Sequence, residues 1–254
     1  MKNAVEEKWV RRFRDDDGCE TKLVCFPHAG AVAGAYRTWP AGLPSDVGVL
    51  AVRYPGREDR FDDPFPPGLE ALAEDIADAL GELARHRIVL FGHCFGATVA
   101  HEVALRLQDR GCSPAALCVS GTQPPHALPG GTVPSADEDI IAHVVGLDAS
   151  RAEAFENPGM REAVLPAVRG DYRLVAGYSG GSRPPLACPV YAYAGEDDSE
   201  VTPEEIARWA DLTNGAFRLR VLPGGHFYLK PQEAALLADL SGVLETVRSG
   251  TTTA

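Results

Sequence analysis

Three groups suited to covalent acyl chemistry stand far apart in the chain: the thiol of Cys94, the carboxylates of Asp197 and Asp198, and the imidazole of His226. A thiol beside an imidazole that a carboxylate orients is a nucleophile for acyl carbon. Cys94 lies in Gly92-His93-Cys94-Phe95-Gly96, a nucleophile elbow with Cys where Ser is usual. Such a turn strains its central residue and pushes the side chain out above a sheet edge. Gly92 and Gly96 suit it, because a Cβ two residues to either side would strike neighbouring backbone. A helix expected from about Phe95 aims its positive end at the sulfur and favours thiolate. His226 would take the thiol proton, or hold it as imidazolium, and later deliver it. Asp198, the third residue after Gly195, is expected to fix the ring. Asp197 is the alternative, since adjacent side chains point in different directions.

Each group needs a strand to carry it. Ile88-Val89-Leu90-Phe91 reads as the buried strand before the elbow. Pro189–Ala194 precedes the acid, and Phe217–Leu222 precedes Pro223-Gly224-Gly225-His226. Lys22–Phe26, Gly48–Arg53 and Ala116–Ser120 are further apolar runs. Leu69, Leu72, Ile76, Leu80 and Leu83 recur at helical spacing and predict a helix over 69–86. Ala97, Ala100 and Ala104 allow the helix after the elbow to approach the sheet closely, and Gly111 ends it. Thr202-Pro203-Glu204-Glu205 is a capping box with Pro at the first helical position, predicting a helix over 203–212. Pro231 is expected to open the last helix. Alternating strands and helices predict an α/β fold with a mostly parallel sheet and helices on both faces.

The alternation breaks at about 122–185, where no strand is evident. Ser135-x-x-Glu138 is a capping box, a second helical stretch surrounds Ala152–Phe155, and a third runs from Met160 to about Tyr178 with an interruption expected at Pro166. We read this insertion as a helical lid over the carboxyl ends of the strands, where open α/β sheets bind ligands. The whole chain, 1–254, then forms a single domain. Trp9, Val10 and Phe13 are expected to pack the N-terminal arm onto it. Asp15-Asp16-Asp17 reads as a solvated turn and the stretch from Ser249 to Ala254 as a frayed tail.

The order nucleophile, acid, His at three strand ends is that of the α/β-hydrolase fold. In that layout the loop after the first confident strand and the residue after the nucleophile supply oxyanion-hole N–H groups. These assignments fall on Ala29, in Pro27-His28-Ala29-Gly30-Ala31, and on Phe95. His93 should point away from the pocket and pack or hydrogen-bond behind it. Cys19, Cys25, Cys112, Cys118 and Cys188 read as packing thiols. Cys25-x-x-His28 is half a metal site without a second pair, so no metal is expected.

Composition narrows the classes. The chain has 254 residues, 45% of them hydrophobic, an amount ordinary for a globular α/β protein. A net charge of −12 argues against nucleic acid. No apolar run reaches membrane-span length, and MKNAVEEKWVRRF has no signal-peptide core, so we expect a cytoplasmic protein, without membrane association, acting as a monomer.

Taken together, these motifs resemble the stand-alone type II thioesterases of polyketide and non-ribosomal peptide pathways. The resemblance runs through Trp9–Phe13, Phe26-Pro27-His28-Ala29-Gly30, Pro55-Gly56-Arg57, the elbow, Pro166-x-x-Arg169-x-Asp171, Gly195-x-x-Asp198, Trp209 and Gly224–Leu229. It implies an α/β-hydrolase fold and acyl groups delivered on the phosphopantetheine arm of an acyl or peptidyl carrier protein. It implies no cofactor beyond that arm. The expected activity is hydrolytic release through an acyl-Cys94 intermediate. The family elbow is Gly-His-Ser-Met-Gly; here it is Gly-His-Cys-Phe-Gly. A thioester on Cys94 also suits acyl transfer or ring closure, as in tetramate-forming Dieckmann cyclases with Cys-His-Asp chemistry, so a cyclase or transacylase is the alternative. A non-catalytic carrier-binding module is disfavoured by the presence of all three reactive groups. Arg53, Arg57 and Arg60, with Arg11, Arg12 and Arg14, are candidates for a basic patch that meets an acidic carrier, but the favoured reading is that several of them only make surface pairs worth little.

Overall fold

In the computed structural model, residues 4–14, 18–83, 85–127, 134, 136–181 and 183–250 are described. Short apolar runs buried on both faces become the five central strands of the sheet, and the first and last strands lie partly exposed at its edges. They are β1 (Val10–Arg12), β2 (Thr21–Phe26), β3 (Val47–Val52), β4 (Arg87–His93), β5 (Ala116–Ser120), β6 (Val190–Gly195) and β7 (Phe217–Leu222). They form one sheet in the order β1-β3-β2-β4-β5-β6-β7, and every pairing except β1 with β3 is parallel.

Register brings the functional loops to one edge. Phe26 pairs with Gly92, His93 with Ser120, Ser120 with Tyr193, and Gly195 with Leu222. The chain therefore leaves β2, β4, β5, β6 and β7 at the same height. Alternate strand residues feed two apolar layers. Val24, Leu50, Leu90 and Leu117 pack under helices α2 (Leu69–Gly81) and α3 (Phe95–Asp109). Leu23, Val49, Phe91 and Tyr193 face Leu236, Leu240 and Leu244 of the last helix. Ala97, Ala100 and Ala104 are fully buried, which lets α3 lie close to the sheet.

Between β5 and β6 come α4 (Asp137–Leu147), α5 (Ala152–Glu156) and α6 (Pro158–Ala176), with no strand among the described residues of 122–185. Ile140, Val144, Phe155, Leu165 and Val168 give this insertion its own small core. The helix α6 runs through Pro166 without the expected break. An internal proline costs about 3 kcal/mol. Buried Leu165, Ala167, Val168 and Leu174 around it hold the helix together. The cap of α4 is Ala136, one residue after the expected Ser135, which lies outside the described residues, as do Asp15–Asp17 and 251–254.

Other boundaries differ modestly. The helix expected over 69–86 stops at Gly81. The one expected over 203–212 is α7 (Pro203–Ala207) continued by a tighter 3-10 turn over Arg208–Leu212. Its capping box is present: the Glu205 N–H donates to Thr202 Oγ1 at 3.2 Å, and the Thr202 N–H donates to Glu205 Oε2 at 2.8 Å. The last helix, α8 (Glu233–Ser249), begins two residues beyond Pro231, after a run of tight turns. The N-terminal arm has structure of its own. A short helix, α1 (Ala4–Trp9), leads into β1, whose Val10 pairs with Val52, and Trp9 and Val10 are buried.

Candidate active site

Cys94 is the single residue between β4 and α3. Its backbone is left-handed, φ 52° and ψ −123°. A Cβ on Gly92 would stand 2.3 Å from the Gly96 carbonyl oxygen, and one on Gly96 would stand 2.1 Å from that of Phe26. Glycine at both flanks is thus a packing requirement. The Cys94 N–H donates to the Ser120 carbonyl at 2.8 Å, which ties the elbow to β5. The partly exposed side chain lines a cavity of about 990 Å³ between the strand ends and the insertion.

His226 follows β7 and is 3% exposed. Its Nδ1 lies 2.9 Å from Asp198 Oδ2. The other Asp198 oxygen accepts the Glu200 N–H at 2.9 Å. Asp198, and not the exposed Asp197, therefore meets the ring. With a carboxylate as acceptor, Nδ1 is the protonated nitrogen. Burial opposes a charge on this ring. The negative charge of Cys94 and the Asp198 carboxylate outweigh it and raise the His226 pKa to about 10. His226 Nε2 is buried and makes no hydrogen bond, and the ring lines the same cavity as Cys94.

A buried polar layer supports the ring from beneath. His93 Nδ1 lies 2.9 Å from Ser120 Oγ, which lies 2.6 Å from the Tyr228 hydroxyl. The His93 and His226 ring centroids are 4.9 Å apart. Burial, and then the proximity of His226, push the His93 pKa well down, so this ring is neutral. It points away from the cavity, as the sequence suggests. Ser120 carries no signal in the sequence beyond its place at the end of β5, and Tyr228 none beyond its place in the Gly224–Leu229 stretch.

Ala29 and Phe95 line the same cavity as Cys94. Phe95 is the first residue of α3, so its N–H is among those a helix leaves without an internal partner. Residues of the insertion close the other side, with Leu147, Tyr172 and Val175 on its helices. Burial, then the charges of Cys94 and Glu200, push the Tyr172 phenol well up. Across the cavity His143 Nε2 lies 3.7 Å from Glu200 Oε2.

Four of the candidate arginines, Arg11, Arg53, Arg57 and Arg60, are held in ion pairs, two of them buried. Arg57, 4% exposed, is paired with Asp171. Arg60, 6% exposed, lies over the Trp9 ring at 3.9 Å and pairs with Asp63. Arg53 pairs with Asp59 and donates to the Glu7 carbonyl. Arg11 pairs with Glu58, and Arg14 donates to the Val47 carbonyl. Arg169 pairs with Asp137, joining α6 to α4. The thiols of Cys25, Cys118 and Cys188 are buried, and burial raises each pKa, that of Cys188 to about 12. No cluster of three His, Cys, Asp or Glu side chains suited to a metal occurs among the described residues, and none of their helices is long and apolar enough to cross a membrane.

Residues 21–244 match the thioesterase domain family. The probable cadicidin biosynthesis thioesterase of Streptomyces griseus is 37% identical over 95% of this chain and 67% of its own length. Thioesterase PikA5 of Streptomyces venezuelae is 36% identical over 97% of this chain and 89% of its own. The type II thioesterase BorB from the borrelidin biosynthetic cluster is 35% identical and superposes with a TM-score of 0.85, covering 96% of this chain and 99% of that one. The fold shared with these proteins is the α/β-hydrolase fold.

Proposed function

Because the chain belongs to the thioesterase domain family, we propose that it releases acyl groups from the phosphopantetheine thioesters of a polyketide or peptide carrier protein. The observation that carries this reading is that Cys94 and His226 line one cavity, with the buried Asp198 carboxylate on Nδ1 of the His226 ring behind it. In this proposal residues 1–254 act as a single α/β-hydrolase domain, with the insertion at about 122–185 as a lid.

The steps follow from the groups present. The Cys94 thiolate adds to the thioester carbonyl. The oxyanion that forms takes hydrogen bonds from the N–H groups of Ala29 and Phe95. Collapse breaks the carbon–sulfur bond to the pantetheine arm, and the His226 imidazolium protonates the departing sulfur. His226, now neutral, removes a proton from water as the oxygen adds to the acyl-Cys94 carbonyl. The second collapse returns the Cys94 thiolate and the His226 imidazolium and frees the carboxylic acid. Asp198 holds Nδ1–H throughout, so that Nε2 faces the reacting atoms.

A second reading rests on the sulfur itself. Serine is the usual nucleophile in the relatives. An acyl-Cys94 remains a thioester, open to attack by an amine or a carbanion of the same chain. Ring closure or acyl transfer then replaces hydrolysis. Intact mass after mixing with acyl-N-acetylcysteamine thioesters tests both readings. The expected result is an acyl adduct on Cys94 that decays to free acid. Decay to a cyclic or transferred product instead selects the second reading. No adduct, with release no faster than in buffer, refutes both.

A further inference from the structure

We propose that Asp171, on α6 of the insertion, is a positioning residue that fixes the loop presenting the Ala29 N–H. This rests on the reading of Ala29 as an oxyanion donor given above. The Asp171 carboxylate is 1% exposed and has two partners. Its Oδ2 accepts the Gly30 N–H at 2.8 Å, one residue beyond Ala29. Its two oxygens also accept both terminal nitrogens of Arg57, at 2.7 and 2.6 Å. Arg57 in turn donates to the Ala31 carbonyl at 3.1 Å and to the Pro55 carbonyl at 3.2 Å. The Ala31 N–H closes the turn on the His28 carbonyl at 2.9 Å. Backbone groups at positions 28, 30 and 31 are therefore all committed, and Ala29 sits between them on the cavity wall.

Packing reinforces this clamp. Gly30 has φ +71°, and a Cβ there would lie 2.3 Å from Val168 Cγ2. The same helix therefore touches the loop through an apolar and a charged side chain, one turn apart. The Phe65 ring fills the space between Gly56, beside Arg57, and Gly170, beside Asp171. A pair of charges this deeply buried is weak evidence for stability alone, since desolvation offsets most of its attraction. Its geometry is that of an orienting device: a planar, two-pronged ion pair whose guanidinium also donates to the carbonyls of Ala31 and Pro55. The insertion thus reaches into the catalytic geometry through α6, besides covering the cavity.

The test separates oxyanion chemistry from general damage. Acylation of Cys94 by a thioester passes through an oxyanion. Alkylation of Cys94 by iodoacetamide does not. In Asp171→Asn the amide oxygen still accepts one N–H but the charge that holds Arg57 is gone. Displacing an oxyanion donor slows acylation by about 10- to 100-fold. The expected result is that loss in acylation rate and kcat, with KM and the iodoacetamide rate close to those of the parent. Arg57→Lys, which keeps a charge but loses the fork, should show the same ratio, and it serves if Asp171→Asn fails to fold by circular dichroism. Equal losses in acylation and alkylation, or no loss in either, overturn the proposal. Full turnover in Cys94→Ala would instead overturn the nucleophile assignment beneath it.

Discussion

Replacing Asp198 by Asn removes one charge and leaves the shape almost unchanged. The Glu200 N–H already holds Oδ1, so the new amide nitrogen faces His226 Nδ1. Nδ1 must then accept, and the ring proton moves to Nε2, where it blocks proton pickup. The His226 pKa lies at about 10 against an ordinary 6.5. The whole setting thus favours the charged ring by roughly 5 kcal/mol, at about 1.36 kcal/mol per pH unit. A charge-assisted hydrogen bond to Asp198 supplies about 2–3 kcal/mol of that. Losing it lowers kcat/KM by about 100-fold, at 1.36 kcal/mol per decade. Release of N-acetylcysteamine from an acyl thioester, followed with a thiol reagent, reads the effect. Asp197→Asn is the control. Its side chain is exposed, and an exposed change of this kind moves the rate by no more than about twofold. A loss under about fivefold in Asp198→Asn, or equal losses in the two variants, refutes the orientation argument.

Cys94→Ser should form an acyl adduct far more slowly than the parent, by about 100-fold or more, because a hydroxyl is a weak nucleophile at its ordinary pKa. Stopped-flow mass spectrometry reads this, and parent-like acylation would remove the role given to sulfur. His101 is buried against Trp209, and burial, more than its charged neighbours, lowers its pKa from 6.5 to about 4. The unfolded chain then binds the extra proton first, so His101 takes away stability as pH falls from about 6.5 towards 4, by up to about 3 kcal/mol. Urea midpoints over that range should fall less steeply in His101→Gln than in the parent. Thr202→Ala removes the α7 cap and should lower stability by about 1 kcal/mol, read by urea denaturation, with thioester turnover unchanged.

The central strands were legible because parallel strands buried on both faces are written as unbroken apolar runs. The elbow was legible because two glycines and a small-residue helix leave few other structures open. The acid was legible only to a pair, since no rule of spacing separates Asp197 from Asp198; the choice is made by the turn that commits Oδ1 to Glu200. Contacts between remote segments carried no signal. Arg57 and Asp171 stand 114 positions apart, and Arg57 read as a surface charge until its burial was seen. Pro166 read as a break because local propensity takes no account of the buried side chains around it. The edge strand β1 was missed because three residues, two of them arginine, show no period.

The backbone at position 94 carries a lasting tension. A non-glycine residue held with positive φ costs on the order of 1–3 kcal/mol, and Cys94 has φ 52°. Glycine would rest at that corner at ease, in a tougher protein with nothing left to react. Cys94→Gly should therefore raise stability by about that amount, read by urea denaturation, if the corner is strained as its φ indicates.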